Sequence, residues 1–204
     1  MQSIEDKILS RIYGRGRGWA FTQKDFASLG SRSSIDLALH RLGKKKIIKR
    51  VFRGIYNYPR YSKKLEQILS PDIDQVAQAL ARKFGWQIQP SGPAALNILG
   101  LSTQVQAKYI YKSSGPDRSY NIGKIELVFQ NTPSKEARFQ HYESAIIVQA
   151  LKSLGLNRIT PEVITSIKKW LDAEKRPKIL KDTRTATSWV YDAIRKICGE
   201  TDNG

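Results

Sequence analysis

Six cations fall within ten residues at Lys44, Lys45, Lys46, Lys49, Arg50 and Arg53. Ammonium and guanidinium groups at that density hold a polyanion by phosphate contact, whereas on a loose segment the same run would only keep a surface soluble. The residues between them bear on that choice. Ile47-Ile48 and Val51-Phe52 are β-formers, Arg53-Gly54 can turn, and Ile55-Tyr56-Asn57-Tyr58 alternates until Pro59 stops it. The charge is therefore expected on a rigid hairpin, with Tyr56 and Tyr58 packing on one face.

Residues for other chemistry are few. His40, His141 and the single Cys198 form no zinc-ligand spacing, so neither a metal nor a cofactor is expected. The sequence holds no phosphate-cradling G-x-x-x-x-G-K-[ST], no G-x-S-x-G and no activated-cysteine arrangement, and the chain is not expected to be an enzyme. His141-Tyr142-Glu143 reads as a helix start, where a lone histidine caps or lies at the surface. Asp117 with Lys124-Ile125-Glu126 has the residue types of a strand-borne, metal-dependent nuclease site, but in the order lysine-x-acid instead of acid-x-lysine. A nuclease with a targeting domain and an RNA-binding module stay as alternatives, the second drawing on the same charge and on GRGRG.

The elements that would position the cations can be read from apolar spacing. Ile4, Ile8, Leu9 and Ile12 predict a helix from Ser3 to Tyr13, ended by Gly14. GRGRG, residues 14 to 18, breaks regular structure, so that Arg15 and Arg17 either approach a phosphate closely or stay solvated on a flexible turn. Thr22-Gln23-Lys24-Asp25 starts a short helix holding Phe26 and Leu29, and Gly30 stops it. A further helix, capped by Ser31 or Ser33 and closed by Gly43, buries Ile35, Ala38, Leu39 and Leu42. Its other face carries Ser33, Asp36, Leu37, His40 and Arg41, with Arg32 in the first turn. Leu37 there meets a thymine methyl, the first helix or a dimer partner.

Short helix, glycine turn, polar-faced helix and hairpin together make a winged helix-turn-helix, whose last helix enters a major groove while the wing lies on the backbone. The expected DNA contacts are Arg15, Arg17, Arg32, Ser33, Ser34, His40, Arg41, Lys44, Lys45, Lys46, Lys49, Arg50 and Arg53.

Whole-chain composition agrees. The 204 residues are 40% hydrophobic, enough for a buried core, and 35 Lys and Arg against 18 Asp and Glu give a net charge of +17. Residues 1–64 hold sixteen of those cations and four of the acids. They are expected to form the DNA-binding domain, with residues 65–204 as an α+β, helix-rich second domain. In the latter, Ser70-Pro71-Asp72 starts a helix, Trp86 to Gln89, Lys108 to Ser113 and Ile122 to Gln130 read as strands, and the last third is helical. The fold class is thus α+β. No signal-peptide core and no apolar run of membrane-spanning length is visible, so a cytoplasmic protein with no membrane partner is expected.

The run TQKDFASLGSRSSIDLALHRLGKKKIIKRVFRGIYNYP resembles the N-terminal winged domain of AbiEi-type antitoxins of bacterial type IV toxin-antitoxin systems. Phe21-Thr22, Asp25-Phe26, Ala38-Leu39-His40-Arg41-Leu42 and Arg53-Gly54-Ile55-Tyr56-Asn57-Tyr58-Pro59 carry the likeness, and PSGPAALNILGL at residues 90 to 101 resembles a segment of that family's C-terminal domain. Lys46 stands where the family usually has glycine. The resemblance implies a repressor that binds double-stranded DNA at its own operator. It also implies an antitoxin that counteracts a nucleotidyltransferase-like toxin without necessarily forming a stable complex. Homodimerisation is left open.

Overall fold

A computed structural model describes residues 2–104, 106–132 and 139–199. The chain divides into two compact units, residues 1–86 and 87–204.

The first unit opens with α1 (Ile4–Arg15), started by a reciprocal capping box between Ser3 and Asp6. The helix passes through Gly14 and ends at Gly16, whose φ of +82° suits a residue without Cβ. After β1 (Ala20–Phe21), Thr22 and Asp25 make a second capping box, but the segment Gln23–Leu29 winds as a 3₁₀ helix where a short α-helix was expected. Ser31 caps α2 (Arg32–Lys44), which buries Ile35, Ala38, Leu39 and Leu42 as their spacing predicts.

The strands are shorter than their β-formers suggest. Ile47 and Ile48 precede β2 (Lys49–Phe52), and Ile48 drops into the core. Arg53-Gly54 turns the chain into β3 (Ile55–Asn57), giving an antiparallel sheet in the order β1-β3-β2. Ile8, Ile12, Phe21, Phe26, Ile35, Leu39 and Leu42 close the core between sheet and helices. Each such side chain contributes about 1.5–3 kcal/mol on burial.

After Pro59, residues 60–69 form a second hairpin of β4 (Tyr61–Ser62) and β5 (Gln67–Ile68). Asp72 then caps α3 (Ile73–Phe84), and Gly85 in the left-handed region ends it. Phe21 and Tyr56 pair on the core side of the sheet, so by alternation Ala20 and Ile55 face the other way. Both are buried, and α3 packs against β1 and β3. Arg82 of α3 donates to Asp25 Oδ1 at 2.7 Å and to the Ala20 carbonyl at 2.8 Å. This helix, placed with the second domain by the reading at 64/65, belongs by its contacts to the first unit.

In the second unit, β6 (Ile88–Pro90), β7 (Lys108–Ser113), β8 (Arg118–Ile122) and β9 (Ile125–Asn131) make a mixed sheet ordered β6-β7-β9-β8, with β7 and β9 parallel, and α4 (Gly92–Ile98) joins β6 to β7 in the chain. Arg118–Ile122, which lies between the expected strands Lys108 to Ser113 and Ile122 to Gln130, is itself a strand. A Cβ on Gly92 would lie 2.6 Å from Ser153 Cβ, so glycine lets α4 press onto α5 (Tyr142–Leu154). The helices α6 (Pro161–Trp170), α7 (Arg176–Asp182) and α8 (Ser188–Cys198) complete a core of Ile147, Leu151, Ile167, Ile179, Val190 and Ile194. The class is α+β, as the element pattern predicts.

Candidate nucleic-acid interface

Helix α2 and the β2–β3 hairpin are joined by a four-residue link, so the last turn of the helix lies by the root of the hairpin and its first turn by the tip. Two hollows flank Tyr56 in the resulting furrow. One, of about 540 Å³, is lined by His40, Lys44, Lys46, Lys49, Arg50 and Ile68 among others. The other, of about 350 Å³, is lined among others by Lys24, Arg32, Asp36, Arg53 and Lys83.

Side-chain pairing sorts the expected contact residues. His40, Arg41, Lys44, Lys46, Lys49 and Arg53 are exposed, apart from backbone bonds, and none makes a side-chain hydrogen bond or ion pair among the described residues. Arg32, with its side chain 82% exposed, approaches Asp36 at 3.8 Å, an i,i+4 pair of about 0.3–0.5 kcal/mol that a phosphate readily displaces. Arg50 Nε donates to the Phe52 carbonyl at 3.3 Å. Lys45, by contrast, is engaged with Glu5 of α1 at 2.6 Å.

The helix does not present one face to one partner. Arg32, His40 and Lys44 line the furrow, whereas Ser33, Leu37 and Arg41 form a separate exposed stripe at i, i+4 and i+8, with Leu37 50% exposed. Ser34 and Ser33 share hydroxyl contacts with the cap residue Ser31. Arg15 lies 5.8 Å from the Trp19 ring, and Arg17 covers Tyr58 at 4.7 Å while donating to the Pro59 carbonyl. The two arginines of GRGRG thus pack on the unit's own aromatics, and the tyrosines pack against the core as expected.

Lys24 and Lys83 escaped the sequence reading. They meet because Lys24 Nζ donates to the Lys83 carbonyl at 2.7 Å, and a Cβ on Gly54 would lie 3.1 Å from Lys83 Nζ. The one sequence signal was Arg82-Lys83 in the last turn of α3, which reads equally as a dipole complement.

The family of unknown function DUF6088 matches residues 7–179. The chain belongs to that family. The DUF6088 match begins inside α1 and ends inside α7, so it takes in the furrow entire and most of the second unit. Among solved structures, a likeness to the crystal structure of the RV2827C protein from Mycobacterium tuberculosis covers 97% of this chain and 76% of that one, at 12% identity and a TM-score of 0.40. No curated protein matches.

In the second unit of this DUF6088 protein the acidic residues considered for nuclease chemistry stand apart. Asp117 Oδ1 accepts the Asn131 N–H at the far end of β9, while Glu126 near its start pairs with Lys108 at 3.4 Å. Five residue steps of strand separate these two points, roughly 17 Å. His141 is the residue before α5, and its N–H and that of Gln140 donate to the two Asp182 carboxylate oxygens at 3.0 Å each. Burial pushes the Asp182 pKa up, but these N–H bonds outweigh it and hold the carboxyl below its ordinary value. Burial likewise opposes ionisation of Glu143, and the 2.6 Å bond from Lys175 reverses it. Among the described residues no group of His, Cys, Asp and Glu could hold a metal ion, and no helix is long and apolar enough to cross a membrane.

Proposed function

We propose that residues 1–86 act as a winged helix-turn-helix on duplex DNA, and that the protein is a transcriptional regulator and antitoxin that represses its own operon and counteracts a nucleotidyltransferase-like toxin. The observation that supports DNA binding is the set of cations Lys44, Lys46, Lys49 and Arg53, without side-chain partners among the described residues, along the end of one helix, the link after it and one hairpin. Neutralising them in the free protein would need counterions, and phosphates supply fixed negative charge at helical spacing. The antitoxin role rests on the resemblance carried by Ala38-Leu39-His40-Arg41-Leu42 and Arg53 to Pro59. It requires no stable complex with the toxin, no cofactor and no catalytic residue, and it belongs in the cytoplasm.

Binding to a labelled duplex from upstream of its own gene, titrated over a range of salt, tests the first part. Changing Lys44, Lys46 and Lys49 together to Ala should lower the log–log slope by about 2.7, three contacts at about 0.9 each. An unchanged slope overturns the interface. Structured RNA at matched salt should bind more weakly than the duplex, and the reverse would move the reading to an RNA-binding module. Co-expression with a nucleotidyltransferase-like product of the neighbouring gene should restore growth, and continued arrest would remove the antitoxin role.

A further inference from the structure

The 61–68 hairpin exposes more apolar surface than its size accounts for. Tyr61 and Ile68 are register partners, so they share one face of the ribbon, and they are 54% and 52% exposed. Leu65 at the tip is 58% exposed. Beside it stand Lys63 and Lys64, which have no side-chain partner among the described residues, and Glu66, held at φ +48°. An isolated two-stranded ribbon is marginally stable, and one with an apolar face in water is less so unless something covers it.

The root of this ribbon is nonetheless built firmly. Leu69 N–H donates to the Arg60 carbonyl at 2.9 Å, Arg60 Nε donates to the Arg17 carbonyl at 3.3 Å, and its guanidinium lies 3.9 Å from Asp72. Gly18, at φ +96°, makes room for that guanidinium, since a Cβ there would fall 2.7 Å from Arg60 Nη2. The hairpin is thus anchored beside the furrow, and Ile68 lines the same hollow as His40, Lys44 and Arg50.

Building on the DNA-binding reading above, we propose that residues 61–68 are a second wing, with Lys63 and Lys64 on phosphates and Tyr61, Leu65 and Ile68 against the wall of a groove. Two observations favour DNA over a second copy of the chain. The ribbon continues the surface that carries the unpaired cations, and a two-fold contact through Leu65 would bring two Lys63-Lys64 pairs face to face without a compensating acid beyond Glu66. DNA supplies what both halves of the hairpin need: phosphate oxygens for the lysines and apolar sugar edges for the side chains next to them.

Salt titrations of the full chain on the same labelled duplex test it. Three variants are compared: Lys63→Ala with Lys64→Ala, Leu65→Ser, and Lys178→Ala with Lys181→Ala in α7 as a charge control. The hairpin lysine pair should lower the log–log slope by about 1.8, while the control leaves it unchanged. Leu65→Ser should weaken binding several-fold at unchanged slope. All three sites are exposed, and urea midpoints equal to the parent chain's certify folding. Should the parent chain bind and the hairpin variants titrate like it, the second wing is overturned and the furrow reading stands. Should the parent chain fail to bind duplex at low salt, the furrow reading falls and this one with it. Leu65→Ser converting a dimer to a monomer in sedimentation, with DNA binding unaltered, makes the hairpin a self-association edge and overturns the proposal.

Discussion

The three consecutive lysines are chemically identical and structurally unlike. Lys44 and Lys46 line the hollow between helix and hairpin, while Lys45 turns away to Glu5. A sequence can show that charge is dense, but the direction of each side chain depends on where α2 unwinds, and here Lys46 takes a φ of +57° to leave the helix. Lys45→Ala is expected to leave the salt slope for duplex DNA unchanged, whereas Lys44→Ala or Lys46→Ala should each reduce it by about 0.9. The lost pair with Glu5 should cost about 0.2–1 kcal/mol in urea unfolding, as exposed ion pairs do. A slope change for Lys45→Ala equal to the other two would show that its pairing gives way to phosphate. The same geometry explains why Arg32 and Arg53 were legible as basic but not as residues of one site: they are twenty-one positions apart and line one hollow between helix and hairpin.

At the scale of elements, periodicity served where one face is buried and failed where long-range partners decide. The stripes of α1 and α2 were readable from their apolar spacing, as were the start of α3 at Ser70-Pro71-Asp72 and the hairpin turn at Arg53-Gly54. Helix α7 carries no such signal of its own, having only seven residues and one buried side chain, Ile179, too short for a pattern. Yet α7 has a definite task, since its last residue, Asp182, accepts the Gln140 and His141 N–H groups ahead of α5 and so serves as a cap supplied from elsewhere in the chain. With its pKa held below the ordinary value, Asp182 adds stability that is present above the unfolded-state pKa and is lost as pH falls through the folded one. Asp182→Asn should therefore lower stability by about 0.5–2 kcal/mol at neutral pH, with the gap to the parent chain narrowing in acid. A constant gap from neutral pH down through the carboxylate range would show that the charge plays no part.

At the scale of the molecule, charge and contacts do not share a boundary. Residues 1–64 carry the greatest density of cations, which suggests a domain ending there, but electrostatics marks a surface and packing marks a folding unit. The sheet β1-β3-β2 has two apolar faces. Helices cover one, and the other, with Ala20 and Ile55, needs α3. A fragment of residues 1–64 would leave Ile55 in water, and it would remove the bonds from Arg82 to Asp25 and to the Ala20 carbonyl. Exposing even one such isoleucine costs about 1.5–3 kcal/mol, against a typical total stability of about 5–15 kcal/mol. A fragment of residues 1–86 keeps all of these, and it carries eighteen Lys and Arg against seven Asp and Glu. The expected outcome is that residues 1–86 melt cooperatively and reproduce the log–log slope of the full chain on duplex DNA, while residues 1–64 show no cooperative transition. If residues 1–64 unfold at the same urea midpoint as residues 1–86, α3 is an appendage and the unit is the smaller one. If residues 1–86 fold but bind with a distinctly lower slope, cations of the second unit also reach phosphate, and DNA binding is a property of the whole chain.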